Sequence, residues 1–133
     1  MKKALVLFFA LTGFASSAHA AECLYLVEAH GMSEKITFLS DIVELAYPAG
    51  SKRCNYDSSG NYLRREQKLE EQFLNFIRSR NPGLDISDIN AKWFNNESEV
   101  RLIQQMTNAL VASGQPDARG NRVVLLSGRF YSE

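Results

Sequence analysis

The order of its hydrophobic periodicities constrains the fold of this chain more than any other feature. Two segments have the composition or alternation typical of strands. Two segments with helical periodicity follow, and each precedes a further strand pattern. The predicted strands are 23–29, 35–47, 88–94 and 122–131, and the predicted helices lie within 62–81 and 96–114. The order ββαβαβ predicts an α+β fold, a single two-layer sandwich with both helices packed on the same face of one small sheet.

The segment Lys35–Tyr47 admits two interpretations. Its first apolar residues, Ile36 and Phe38, have the opposite parity from the later ones, Val43 and Leu45. One extra residue between the two pairs, a β-bulge, would bring all four side chains to one side of the sheet. The bulged strand is favoured, and a short helix over the second half is the alternative.

Each predicted helix has an apolar stripe that should face the sheet. The first stripe consists of Leu69, Phe73, Phe76 and Ile77, and the second consists of Leu102, Ile103, Met106, Ala109 and Leu110. In the strand between the helices, Ile89, Ala91 and Trp93 alternate with polar residues. We therefore expect Trp93 to be a buried anchor of the core.

The segment 1–20 has the pattern of an export signal. Lys2 and Lys3 precede an apolar run over 4–15, and 18–20 read Ala-His-Ala, as signal peptidase requires. The run is too short for a membrane-spanning helix, which takes about 20 residues. We expect cleavage after Ala20, which leaves a single domain over 21–133 in the periplasm of a Gram-negative-type bacterium, or secreted, with no membrane anchor.

Two cysteines, Cys23 and Cys54, belong to the predicted mature chain. In an oxidising compartment an even pair is most simply a disulfide. A redox or metal-binding pair is the alternative, but the CxxC spacing and a nearby histidine are both missing. The predicted bridge would hold the first strand against the polar loop that carries Cys54.

No sequence signature indicates a catalytic, nucleotide-binding or metal site. His30, the only histidine of the predicted mature chain, is expected in a solvated turn. Asp85, Asp88 and Asn90 match only a fragment of a calcium loop. Basic and acidic residues number 15 each, so the chain lacks the basic field of a nucleic-acid binder. We expect no catalytic residue, metal ligand, cofactor or nucleic-acid partner.

Three tyrosines and a pair of arginines are the candidate partner-binding residues. Tyr47, Tyr56 and Tyr62 flank the loop of Cys54, and Arg119 and Arg122 lie near the last turn. Tyrosine and arginine are enriched in protein interfaces. The hypothesis is a binding or interaction module: an inhibitor, an immunity-type protein or an accessory subunit that contacts another envelope protein.

The alternative hypothesis is a small envelope enzyme, such as a cell-wall hydrolase, that uses a carboxylate pair. Its candidates are Glu28, Glu34, Asp41 and Glu44, on or beside the first two strands. An enzyme would hold two carboxylates with shifted pKa values in one pocket, whereas a binding module would expose an apolar or aromatic patch.

Overall fold

The computed structural model describes residues 23–133, which form a mixed five-stranded sheet and two helices. The strands are β1 (Cys23–Gly31), β2 (Ile36–Ser40), β3 (Val43–Leu45), β4 (Asp88–Phe94) and β5 (Arg122–Leu126). The helices are α1 (Arg65–Arg80) and α2 (Glu97–Ser113). The α+β class and the element order are confirmed. The predicted signal sequence and its cleavage site lie outside the described residues.

The bulged strand predicted over Lys35–Tyr47 is present as β2 and β3. Because β4 pairs along one edge of β1, β2 and β3 share the other edge. Glu28 pairs with Leu39 and Cys23 with Leu45, so the register between β1 and its partner shifts by one residue. One extra residue between β2 and β3 accounts for this shift.

The helices lie on opposite faces of the sheet, which corrects the predicted two-layer arrangement. Alternate residues of β1 have their side chains on opposite faces. Tyr25 and Val27 pack in one core with Phe73 of α1, whereas Leu24 and Leu26 pack in a second core with α2. The chain therefore forms three layers, with one helix on each face.

The direction of the two crossovers explains the third layer. β4 and β5 both run parallel to β2, because β4 and β2 are each antiparallel to β1 and β5 pairs parallel with β2. The connection through α1 crosses β1 to one edge of the sheet, and the connection through α2 returns across β1 and β2 to the other edge. Right-handed crossovers that run in opposite directions place their helices on opposite faces.

The apolar stripe of α1 is covered as predicted. Leu69, Phe73 and Ile77 are fully buried, and Phe76 packs at the edge of the same core. Burial of each such side chain contributes about 1.5–3 kcal/mol relative to exposure.

The predicted stripe of α2 is covered only in part. Val100 and Thr107 are its buried residues, and Ile103 packs against the second core. Leu102 and Met106, which we expected in the core, are more than half exposed. The side of α2 that packs on the sheet is therefore not its most apolar side, and the two sides face different directions around the helix axis.

Candidate functional site

The polar loop between β3 and α1 is fixed to the sheet by the predicted disulfide. Cys23 and Cys54 are bonded, with their Cα atoms 5.6 Å apart, and Cys23 is fully buried. Among the described residues no cysteine is free. A disulfide is consistent with an oxidising location outside the cytoplasm.

Arg65, at the start of α1, holds the same loop from the other side. It is 4% exposed, and its Nη1 donates a 2.9 Å hydrogen bond to the carbonyl oxygen of Cys54. Its Nε and Nη2 donate to the two carboxylate oxygens of Glu133 at 2.8 and 2.9 Å. Such bidentate charged pairs are short and directional. This role explains an arginine at a helix start, where the helix dipole disfavours a cation.

One tyrosine hydroxyl bonds the loop directly, and a second bonds the Glu133 carboxylate that pairs with Arg65. Tyr25, on β1, donates a 2.6 Å hydrogen bond to Oδ1 of Asn55. Burial raises the pKa of Tyr25. Burial and then the Glu133 carboxylate raise the pKa of Tyr131 to about 12. Both hydroxyls therefore stay protonated at neutral pH, and Tyr131 keeps a donor directed at Glu133.

Aromatic side chains line an open groove over this loop, which we call the aromatic groove. It contains about 340 Å³ of space, and three of its lining residues are Tyr47, Tyr56 and Trp93. The others are Lys52, Arg53, Cys54, Asn55 and Asn95. The lining thus combines aromatic rings, amides and two cations, and includes no carboxylate.

The three candidate tyrosines have different positions at this groove. Tyr47 and Tyr56 line it, whereas Tyr62 lies behind Tyr56 with the two ring centroids 5.5 Å apart. The Tyr62 hydroxyl donates to Gln67. On the other side, the Arg53 guanidinium lies 3.9 Å from the centroid of the Tyr56 ring. The neighbouring Tyr62 ring and Arg53 guanidinium restrict the Tyr56 ring before any partner binds.

The prediction that Trp93 is a core anchor is wrong. Trp93 lies on the same face as Ala91 but is 40% exposed. It is the last residue of β4 on that face, at the edge of the sheet. Its backbone N–H donates a hydrogen bond to the carboxylate of Glu66 in α1. The aromatic residue buried here is Phe94, in the second core. The asparagines that follow β4 were the available sign that Trp93 lies at a strand end.

Arg119 and Arg122 lie far from the aromatic groove. Arg122 begins β5, opposite the start of β2, and Arg119 lies 3.9 Å from a carboxylate oxygen of Asp88 at the start of β4. Both positions flank the Gly31 end of β1, whereas the groove flanks the Cys23 end. The structure therefore places the tyrosine and arginine candidates at opposite ends of the sheet.

The four carboxylates of the enzyme hypothesis do not converge. A carboxylate oxygen of Glu44 lies 3.7 Å from Nη2 of Arg101. The Asp41 carboxylate accepts hydrogen bonds from the Ser127 hydroxyl and from the backbone N–H of Gly128. Glu28 is on β1 near His30, and Glu34 is in the turn before β2. Of the two grooves formed by the described residues that include Glu28 or Tyr47 in their lining, one contains only Glu28 of these four carboxylates and the other contains none.

His30 is buried, which corrects its predicted place in a solvated turn. β1 continues to Gly31, so His30 pairs with Thr37 and Asp88 inside the sheet and is 2% exposed. Its Nδ1 lies 3.0 Å from the Thr37 hydroxyl, and its Nε2 lies 3.6 Å from Glu28.

The Thr37 hydroxyl joins this strand end to the turn before β5. It donates a 2.7 Å hydrogen bond to Asp117 and accepts one from Asn121. Burial alone would raise the pKa of Asp117, but hydrogen bonds from Thr37 and from the backbone N–H groups of Asn121 and Arg119 hold it below its ordinary value. Through these hydrogen bonds the hydroxyl links β2 to the turn before β5.

Asp117→Ala is expected to destabilise the protein by about 1–3 kcal/mol at neutral pH, because it leaves the buried Thr37 hydroxyl without its acceptor. Because the pKa of Asp117 is lower in the folded than in the unfolded protein, its carboxylate stabilises the fold at pH values above the unfolded-state pKa of about 3.9. This stabilisation is lost as the pH falls through the folded-state pKa. Urea unfolding should therefore show the difference between wild type and variant shrinking below about pH 4.

The matched control for this prediction is Asp85→Ala, which removes an exposed carboxylate from a neighbouring loop. Its effect should be within about 0.5 kcal/mol at every pH. Equal losses in both variants would contradict the role given to Asp117.

No group of three or more histidines, cysteines or acids among the described residues could hold a metal ion. Comparison with protein-family models, curated proteins and solved structures finds no significant match to this chain.

Proposed function

We propose that the protein is an exported periplasmic binding module that recognises another envelope protein through the aromatic groove. One observation carries the proposal: Tyr47 and Trp93 are 37% and 40% exposed beside a loop fixed by a disulfide and by Arg65. Large aromatic side chains that remain accessible on a rigid frame are the usual anchors of protein interfaces. A pre-ordered loop also loses less conformational entropy on binding.

The charge of the groove favours an acidic segment as the bound part of the partner. Lys52 and Arg53 line the groove, and no aspartate or glutamate does. Because complementary charges accelerate association and exclude like-charged partners, an acidic segment with apolar side chains fits this surface best. The exported location is supported by the disulfide and by the signal-like pattern of segment 1–20.

The test begins with capture of periplasmic proteins on the immobilised, oxidised protein, followed by identification of each captured protein. A true partner should be lost on Trp93→Ala and retained on Leu102→Ala, which removes an exposed apolar side chain on the opposite face. With the purified partner, Trp93→Ala should weaken binding by at least about 2 kcal/mol, or roughly 30-fold.

Three further variants separate the candidate residues. Tyr47→Ala and Tyr56→Ala should weaken binding, and Tyr62→Ala should do so less because Tyr62 does not line the groove. Arg119→Ala probes the other end of the sheet. If Arg119→Ala abolishes binding and the groove variants bind normally, the groove is not the recognition surface.

A further inference from the structure

An open groove lies between α2 and the face of the sheet on which α2 packs, and we call it the α2 groove. It contains about 270 Å³ of space, which is room for about nine water molecules at about 30 Å³ each. The wall on the side of α2 is apolar and includes Ile103, Met106 and Leu110. Polar residues of its lining include Glu28, Asn90, Lys92 and Asp117. This combination suits a small ligand that has both an apolar part and charged groups.

Hydrogen bonds beside the α2 groove determine which ring nitrogen of His30 carries a proton. The Thr37 hydroxyl has one proton, and it donates that proton to the Asp117 carboxylate at 2.7 Å. Nδ1 of His30 lies 3.0 Å from the same hydroxyl oxygen, so Nδ1 must be the donor in that hydrogen bond. A neutral imidazole has a single N–H group, which leaves Nε2 of His30 as an acceptor.

Nε2 of His30 faces another acceptor and not a donor. It lies 3.6 Å from a carboxylate oxygen of Glu28, which lines the α2 groove, and no group among the described residues donates a hydrogen bond to it. His30 is 2% exposed, and buried polar atoms normally have hydrogen-bond partners. A primary ammonium group has three N–H donors and can bond both acceptors at once.

The charges of the α2 groove that remain open to a ligand are one of each sign. The Asp117 carboxylate already accepts three hydrogen bonds from the chain. In the part of the chain that the structure describes, no lysine or arginine pairs with Glu28 and no carboxylate pairs with Lys92. Glu28 lies opposite Asn90 and Lys92 lies opposite Leu26, so Glu28 and Lys92 are diagonal neighbours with Cβ atoms roughly 7 Å apart. The complementary ligand carries an ammonium and a carboxylate group close together.

We propose that the α2 groove binds a free α-amino acid with an apolar side chain. The ammonium group donates hydrogen bonds to Glu28 and to Nε2 of His30, and the carboxylate faces Lys92. The apolar side chain lies against Ile103 and Met106 of α2, where it covers apolar surface that is otherwise exposed to water, since Met106 is 60% exposed. Leucine has about as many non-hydrogen atoms as the groove has room for water molecules.

NMR of the mature chain tests this site, because that chain has one histidine, His30, and two methionines, Met32 and Met106. The imidazole nitrogen resonances of the free protein should show a protonated Nδ1 and an unprotonated Nε2 at neutral pH. Leucine should shift the Nε2 resonance and the Met106 methyl resonance. It should leave the Met32 methyl unchanged, because Met32 lies in the turn between β1 and β2.

Two matched probes separate the contributions of the ligand's charges. Isocaproate has the carbon skeleton of leucine without the ammonium group, and it should bind at least about tenfold more weakly, because it lacks the donor for Glu28 and His30. Leucinamide lacks the carboxylate. Lys92→Gln should weaken leucine binding by roughly three- to fivefold, as for an exposed ion pair, and leave leucinamide binding unchanged.

Glu28→Gln should weaken leucine binding at least about tenfold, because the amide keeps the shape of the side chain and removes its charge. The control is Glu71→Gln, which removes the same charge from an exposed position of α1 on the other face of the sheet and should bind leucine like the wild type. Circular dichroism establishes that both variants are folded.

Three results would overturn the proposal. The first is a doubly protonated His30 ring in the free protein at neutral pH, because the ring would then supply the donor to Glu28 itself. The second is a Met106 methyl resonance that leucine, valine and phenylalanine all leave unshifted at millimolar concentration. The third is isocaproate binding as tight as that of leucine, or equal losses in Glu28→Gln and Glu71→Gln. The aromatic groove lies on the other face of the sheet, so each result is independent of the proposed recognition function.

Discussion

Phe73→Ala is expected to lower the free energy of unfolding by about 3–5 kcal/mol, whereas Trp93→Ala should lower it by no more than about 1 kcal/mol. Phe73 is fully buried, and its ring centroid lies 4.9 Å from that of Phe130 and 6.3 Å from that of Phe76. Truncation removes these contacts and leaves a cavity under α1, which the surrounding residues fill only in part. The partly exposed Trp93 leaves a gap that water can fill.

Urea unfolding followed by circular dichroism measures both variants, because Trp93 is the only tryptophan and its loss removes the fluorescence signal. In the wild type, Trp93 emission should lie near that of tryptophan in water and respond to a soluble quencher. Destabilisation by Trp93→Ala as large as that by Phe73→Ala, together with blue-shifted emission, would restore Trp93 to the core and remove the main anchor of the aromatic groove.

Patterns that depend on one segment alone were predictable from the sequence. The change of parity between Phe38 and Val43 identified the bulge, since a register shift is the only way for one strand to keep both sets on the same face. The stripe of α1 was predictable because the sheet and its neighbours cover all of it. In both cases the apolar pattern and the observed burial coincide.

Patterns that depend on which segments meet were not predictable. The layer arrangement follows from β4 and β5 lying at opposite edges of the sheet, and no local signal states that order. His30 and Gly31 read as a turn, but pairing with β2 and β4 extends β1 through them. The alternation of apolar and polar residues in β4 placed Trp93 on the correct face of the sheet. It did not show that the residues packed on that face bury Ala91 and leave Trp93 partly exposed.

The candidate site combines both kinds of information. Composition identified Tyr47 and Tyr56 because they lie in a polar loop beside Cys54. Trp93 and Asn95 come from the end of β4, beyond the whole of α1 in the sequence, so only the folded chain shows that they complete the same groove. The exposed apolar residues of α2 were missed for a related reason. A hydrophobic stripe in the sequence predicts that a helix face is apolar, but it does not show whether the same chain covers that face.

Cys23→Ser and Cys54→Ser are each expected to destabilise the protein by about 2–5 kcal/mol, since each breaks the same cross-link. The bonded cysteines are 31 residues apart, a loop for which chain entropy alone predicts about 3–4 kcal/mol. The double variant should lose about as much as either single one. Urea unfolding with and without reductant measures the loss, and reductant should lower the stability of the wild type to that of the double variant.

The bridge should also affect recognition, because the loop between β3 and α1 carries most of the aromatic groove. Arg65 still holds the carbonyl oxygen of Cys54 when the disulfide is absent, so the folded double variant should retain the groove in a less ordered form and bind more weakly than the wild type. Arg65→Lys in the double variant then removes the bidentate pair with Glu133 and should weaken binding further.

Thiol titration of the unfolded, unreduced wild type is the control. Two free thiols, or a double variant as stable as the oxidised wild type, would contradict both the stabilising bridge and the rigid loop on which the recognition surface depends.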